Sequence, residues 1–438
     1  MSDTTRAKAA RIATRFTESS HPRPVAGGGL LTRRAVLRGA VAAAASVVGA
    51  AHAEVPAWAA PADPWQKRPG RPPSRAGQPS VHAKEIERTV YTREGDLAPG
   101  NGGSFTPLHL LRGTITPSAL HFERHHNGIP DIDPDHHRLT LHGLVERALQ
   151  FDIDTLQRYP MVSRTLFIEC SGNSFRHTVA KPAQVTCGEI HGLLSNSEWT
   201  GVPLGLLLDE AGVKPEGRWV IAEGADAATM ARSIPLSKCL DDVLVALYQN
   251  GEPLRPEQGY PVRLVIPGFE GNMSVKWLRR LEVADGPLHA RDETSHYTDL
   301  LPDGKALQFT FPMGVKSVIT QPSPGWDLQG PGYYDVSGLA WTGAGRVEKV
   351  EVSADNGATW AEAELQGPAL PYAVVRFRIP WRWDGTPVVL ASRATDETGA
   401  VQPERVDWLR RYGPTQRYHC NAIQRWAVDA EGRLANVY

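Results

Sequence analysis

The sequence predicts two folded domains in series, an α+β domain followed by a β-sandwich, and three observations carry that expectation. The chain has 438 residues, too many for one compact core. Residues 81–305 mix short apolar runs with Gly/Pro turns and a few helical patches, without a regular strand–helix–strand repeat. From Val315 onward alternating runs and turn residues suffice, and no helix of length is needed. The boundary falls near residue 305, where the character of the chain changes.

The elements follow in order. Thr32-Arg33-Arg34-Ala35-Val36-Leu37-Arg38 precedes a small apolar run, Gly39 to Ala51, and Ala51-His52-Ala53 offers small residues at cleavage-site positions. Residues 1–53 therefore read as a twin-arginine signal peptide, which carries folded proteins to the periplasm. The alternative, a membrane anchor, needs ~20 apolar residues. Residues 54–80, rich in Pro, Ala, Gly and Arg, read as a disordered linker. In the first domain, Ile153 to Tyr159 and Leu204 to Ala211 space apolar residues three and four apart, which predicts helices. Arg138 to His142, Thr165 to Glu169, Trp219 to Ala222, Leu244 to Tyr248 and Val262 to Ile266 read as strands. In residues 306–438, Arg346 to Ser353 alternates with Val350 and Val352 on one face, and Asp355-Asn356-Gly357 makes a turn. Thr359-Trp360 leads into Ala361 to Leu365; Ala373 to Ile379 and Val388 to Ala394 complete a small immunoglobulin-like sandwich.

Composition excludes more than it names. With 47 basic against 48 acidic residues, the chain has no charge argument for nucleic acid or an anionic membrane. No G-x-G-x-x-G after a strand and no G-x-x-x-x-G-K-[ST] occur, so dinucleotide and P-loop sites lack support. The four cysteines, Cys170, Cys187, Cys239 and Cys420, allow two disulfides in three connectivities. No C-x-x-C or C-x-x-C-H is present, hence no zinc ribbon and no attachment site for a c-type haem. His121, His125, His126, His136, His137 and His142 crowd one stretch, but their spacing fits no regular metal site and solvated or hydrogen-bonded histidines explain most of them.

The chemistry-bearing feature is Cys170-Ser171-Gly172-Asn173, which follows Leu166-Phe167-Ile168-Glu169. A thiol at a strand exit, followed by residues that tolerate positive φ, can face a cavity. A lone cysteine there is more often a small buried hydrophobe. Three further blocks change that balance: Phe122-Glu123-Arg124-His125-His126, Pro261-Val262-Arg263 and Ser274-Val275-Lys276-Trp277-Leu278. In this order and spacing, from about residue 105 to the C-terminus, the chain resembles the sulfite oxidase family of molybdenum enzymes.

The resemblance implies a sulfite-oxidase-type molybdopterin domain followed by an immunoglobulin-like domain through which relatives dimerise. It implies a molybdenum–pyranopterin cofactor with Cys170 as the protein's metal ligand. Phe122, Arg124, His126, Asp226, Gln258, Arg263, Ser274, Val275 and Lys276 would contact the pterin or its phosphate. Arg and Lys suit that task, one as a planar fork and the other as a point charge. Singly each reads as a surface ion pair; as a set they favour the cofactor. Arg124, Tyr297 and Arg376 would join Cys170 on the catalytic side, and Trp199 would be either a pocket aromatic or core.

Two departures bear on substrate. Relatives that oxidise free sulfite follow C-x-G-N with arginine, where this chain has Ser174-Phe175, with Arg176 shifted. A family histidine five residues before Arg263 is replaced by Gln258, which hydrogen-bonds but carries no charge. With Ala222 to Ala228 and Arg232-Ser233-Ile234-Pro235, these look most like the molybdenum subunits of sulfane dehydrogenases, a branch of the family. That branch implies a persulfide on a sulfur-carrier protein as substrate and a separate c-type cytochrome as electron acceptor. The competing readings are a dehydrogenase of free sulfite, and a non-enzymatic exported binding protein that would hold no molybdenum.

Overall fold

The computed structural model describes residues 24–32, 67–70, 72–93 and 98–438. The arginine pair, the apolar run after it and Ala51-His52-Ala53 lie outside the described residues. The chain divides into two compact units, Met1–Arg23 with Thr32–Ile86, and Pro24–Leu31 with Glu87–Tyr438. Among its described residues the first unit has no strand, and residues 72–86 are almost wholly exposed. Among the described residues no helix is long and apolar enough to cross a membrane.

The second unit begins with a three-stranded antiparallel sheet in which Gly102–Phe105 lies between Thr89–Thr92 and Glu123–His125. A five-stranded sheet follows the order Leu149–Phe151, Leu139–Gly143, Leu278–Ala284, Trp219–Gly224, Ala231–Pro235. Only the pairing of Leu278–Ala284 with Leu139–Gly143 in it is parallel. Another sheet runs Glu252–Pro253, Leu244–Gln249, Leu194–Pro203, Val162–Glu169, with Arg263–Val265 also paired to Leu244–Gln249. Pairing antiparallel hairpins with one parallel crossover gives the expected α+β class. The predicted helix Leu204–Ala211 forms with those bounds, burying Leu204, Leu207, Leu208 and Ala211 and ending at Gly212 with φ 72°. The other predicted helix shortens to Ile153–Leu156, capped by the Asp152 side chain.

Strand Val162–Glu169 shows how the pleat serves two cores. Leu166 and Ile168 face one cluster with Trp199 and Val265. Phe167, between them, joins the cluster that fills the C-terminal sandwich. That sandwich packs a four-stranded sheet (Lys316–Gln321, Gly332–Trp341, Val375–Trp383, Glu364–Gln366) on a five-stranded one. The second sheet runs Ala361–Glu362, Val347–Ser353, Val388–Asp396, Arg425–Val428, Leu434–Val437. Val350 and Val352 are both fully buried, as their alternation predicts. Asn356 and Gly357 take positive φ in the predicted turn. Two expectations need correction. The run Ala361 to Leu365 is two short strands, one in each sheet, because the chain crosses between them at Ala363. A helix, Arg405–Tyr412, also follows the Val388–Asp396 strand; its short apolar stripe, Trp408, Leu409 and Tyr412, is diluted by Arg405, Asp407, Arg410 and Arg411.

Candidate molybdopterin site

Cys170 leaves strand Val162–Glu169 into a loop tied down by Asn173. The Asn173 amide donates to Glu169 Oε1 at 2.8 Å, its Oδ1 accepts from Leu193 N at 3.1 Å, and its backbone N–H bonds Cys170 O at 2.8 Å. The thiol lines a pocket shared with Phe122, Arg124, His126, Asp226, Gln258, Arg263, Ser274, Val275, Lys276 and Tyr297, all read from the sequence as site residues. They reach it from five separate regions of chain, so their convergence is a tertiary fact. Gly259, at φ 106°, permits the closeness: a Cβ there would sit 3.1 Å from both Arg263 Cβ and Lys276 Cβ.

Cations outnumber carboxylates in this pocket, Arg124, Arg263 and Lys276 against Asp226. Arg263 is 3% exposed and meets only neutral acceptors, Gln258 O at 2.8 Å, Ser274 O at 2.9 Å and Leu264 O at 3.2 Å. Lys276 Nζ donates to His125 Nδ1 at 2.9 Å, Glu257 O at 3.1 Å and Arg124 O at 3.2 Å. Burial pulls Arg263 down to about 9, and burial followed by the Arg263 charge pulls Lys276 down to about 7. Arg263, buried, and Lys276, half-buried, both hydrogen-bonded to neutral groups, form a receptor for an anion such as a phosphate. Burial holds His121 near 3 and His125 and His126 near 4, so these rings are neutral at pH 7. His121 Nε2 is buried without a hydrogen-bond partner in the described protein and lines the pocket. Burial raises the Cys170 thiol and the Tyr297 hydroxyl, whose OH lies 3.3 Å from His126 Nε2. A soft sulfur ligand, paired cations and neutral ring nitrogens fit a molybdenum–pyranopterin phosphate.

An outer vestibule adjoins the thiol. Tyr91, Arg93, Arg124, Phe175, Arg417 and Tyr418 line it with Cys170 and Tyr297. Arg93 and Arg176 lie 6.0 and 5.8 Å from the Phe175 ring centroid. Tyr297, at φ 52°, and Trp277, at φ 53°, hold left-handed backbone around the pocket.

Several expectations change here. Arg376 does not reach the pocket: its guanidinium donates to Gly113 O at 2.7 Å, Ser337 Oγ at 3.0 Å and Leu111 O at 3.3 Å, joining the sandwich to the preceding domain. The strand that carries it points it at that junction. Ser174 also turns away, at φ 66°, toward Lys316 Nζ at 2.6 Å and His191 Nδ1 at 2.7 Å. Only Phe175 of the Ser174-Phe175 pair bears on the substrate side. Trp199 is core, fully buried beneath Arg263 with its Nε1 donating to Leu166 O. All four cysteines are free. His136 bonds Asp133 and His137 bonds Leu278 O, and no metal-holding cluster of His, Cys, Asp or Glu exists among the described residues. Sequence reasoning missed Asn272, Tyr91, Arg93, Arg417 and Tyr418. Asn272 lies two residues before Ser274 and was findable; the others have no local signal.

Comparison with known proteins agrees with the geometry. Residues 126–291 match the family model of the oxidoreductase molybdopterin binding domain, and residues 308–425 that of the Mo-co oxidoreductase dimerisation domain. The chain is 31% identical to mitochondrial sulfite oxidase of Rattus norvegicus over 365 residues, 76% of this chain and 65% of that protein. It is 33% identical to sulfite oxidase of Gallus gallus over 327 residues, 68% of this chain and 71% of that protein. The crystal structure of the sulfane dehydrogenase SoxCD from Paracoccus pantotrophus superposes with a TM-score of 0.81 at 44% identity, covering 86% of this chain and 97% of that one. Both matched domains and these identities together mean that the chain belongs to the sulfite oxidase family of molybdopterin enzymes.

Proposed function

We propose that this chain is the molybdenum subunit of a periplasmic sulfane dehydrogenase. It oxidises the outer sulfur of a cysteine persulfide on a carrier protein and passes electrons to a c-type cytochrome, as a homodimer formed through its C-terminal domain. The observation that carries the reading is Phe175, an aromatic facing the vestibule beside Cys170. Similarity to the SoxCD structure supports it. When bound, the cofactor supplies a two-electron couple and an oxygen atom for transfer to sulfur.

The chain's own residues do the rest. Cys170 would hold the metal, and Arg263 and Lys276 would hold the cofactor's phosphate. Arg124, fixed by Asn101 Oδ1 at 2.9 Å, aims positive charge at the anionic sulfur. The Tyr297 hydroxyl, 3.3 Å from His126 Nε2, would donate a hydrogen bond to an oxygen of the bound substrate. Tyr91 and Phe175 give the vestibule apolar walls that suit a peptide-borne substrate more than a small dianion.

Free sulfite is the second reading, favoured by Arg93, Arg124 and Arg417 around the same vestibule. Steady-state oxidation of free sulfite against a persulfidated carrier protein, with cytochrome c as acceptor, separates them. A higher kcat/KM for the carrier supports the proposal, and parity or a preference for sulfite overturns it. Export is tested apart: replacing Arg33 and Arg34 by lysines should retain the enzyme in the cytoplasm, and undiminished periplasmic activity would refute the twin-arginine route.

A further inference from the structure

A segment that the sequence reading assigns to the signal peptide is built into the sandwich. Strand Glu364–Gln366 covers the edge of Val375–Trp383 only at Arg376 to Arg378. The rest of that edge is taken by Leu30, which pairs antiparallel with Trp381, and Leu31, whose N–H donates to Pro380 O at 2.9 Å. Trp381 Nε1 donates to Gly28 O at 2.6 Å, and Gly27 N–H to Thr359 Oγ1 at 2.7 Å. Leu30 and Leu31 are 0% and 1% exposed, and Leu30 belongs to the sandwich core with Ala354, Trp381 and Trp383. The glycines are required by shape. A Cβ on Gly27 would collide with Asp355, on Gly28 with Ala354 O and on Gly29 with Arg382 O, and Gly28 and Gly29 hold positive φ. This is strand addition to an open sheet edge, with backbone bonds for affinity and apolar seats for specificity.

We propose that Pro24–Leu31 is a folding-dependent latch. It docks on the completed sandwich, holds the presequence there just ahead of Arg33-Arg34, and leaves when the presequence is removed, opening the Ile379–Trp383 edge in the mature enzyme. A correctly paired edge exists only once the sandwich has folded, so the latch couples the sorting signal to folding of its own passenger. The release step rests on the export reading; the docking step does not.

Hydrogen exchange on the full chain reads the docking directly. In wild type the Leu31 amide should exchange at least roughly a hundredfold slower than in the free peptide, and lose protection in the same denaturant transition as Val375–Trp383. Leu30→Asp, and separately Gly28→Val, should return Leu31 to the peptide rate while the Val350 amide stays protected. A wild-type Leu31 that exchanges at the peptide rate overturns the latch. The N-terminal mass of the protein recovered from the periplasm reads the release. A start after Ala53, with faster exchange at Ile379–Trp383 than in the full chain, supports it. Periplasmic protein that keeps residues 24–31 overturns the release step while export and docking stand; protein found only in the cytoplasm overturns the export reading, and the release that rests on it, while docking stands.

Discussion

Lys316→Met should be among the most destabilising single changes in the molecule, and it should loosen the loop that carries Cys170. Lys316 and Glu169 are 2% and 1% exposed, with Nζ 3.1 Å from Oε1. The same Nζ lies 2.6 Å from Ser174 Oγ, and Glu169 also accepts from Trp341 Nε1 at 2.6 Å and Asn173 Nδ2 at 2.8 Å. Glu169 and Ser174 bracket the thiol, so one lysine from the sandwich clamps both ends of the loop. Removing one partner of a buried pair costs about 3–5 kcal/mol, because the other charge stays buried without its counter-ion. Glu169 keeps two neutral donors, which places the expected loss at the lower end, about 3 kcal/mol. Unfolding entropy of about 2.1 cal/mol/K per residue over roughly 350 residues gives about 0.7 kcal/mol per degree, hence a fall in Tm of about 4 °C. The assay is thermal unfolding of Lys316→Met, Glu169→Gln and the double variant. Coupling predicts that the double variant is more stable than the sum of the singles by about 1.5–3 kcal/mol. Additive losses, or a Lys316→Met shift under about 1 °C, would refute the clamp.

Cys170→Ser should abolish turnover while folded protein still retains pterin, because most residues lining the pocket are unchanged; full turnover would exclude Cys170 as ligand. Phe175→Arg should raise kcat/KM for free sulfite by roughly tenfold, one charge-assisted hydrogen bond, and lower it for a carrier persulfide; unchanged ratios would dissociate Phe175 from substrate choice. Burial alone would lower the His419 pKa, but the Glu270 carboxylate, 3.4 Å away, outweighs it and raises it. Burial would likewise raise Glu270, yet His419 and Arg232 hold it below its ordinary value. A raised histidine stabilises fully below its unfolded pKa of about 6.5 and less as pH climbs through its folded value. The lowered carboxylate contributes above about 4.3 and fades as pH falls through its folded value. Stability from this pair should thus peak between about pH 4.5 and 6.5, and His419→Gln should flatten Tm against pH on the alkaline side; an unchanged slope there would count against the pair.

What the residues determine locally was legible without coordinates. Leu204–Ala211 shows helical spacing and ends at Gly212, and Val347–Ser353 alternates onto one buried face, so short-range sterics and periodicity specify both. The site was legible because its contributors lie in compact blocks whose residue types are demanded by a metal and a phosphate; the pocket gathers all of those blocks around Cys170. Arg405–Tyr412 was not legible, because its apolar stripe of Trp408, Leu409 and Tyr412 is short and four of its eight residues are charged. Arg376 and Ser174 show what only the tertiary structure decides. Each lies near the right place in sequence, but one strand face sends Arg376 into the domain junction, and a left-handed φ sends Ser174 to a lysine 142 residues away. Side-chain direction depends on which surfaces dock over a strand or loop. That docking is settled by burial between segments far apart in the chain, and no local pattern of residues encodes it.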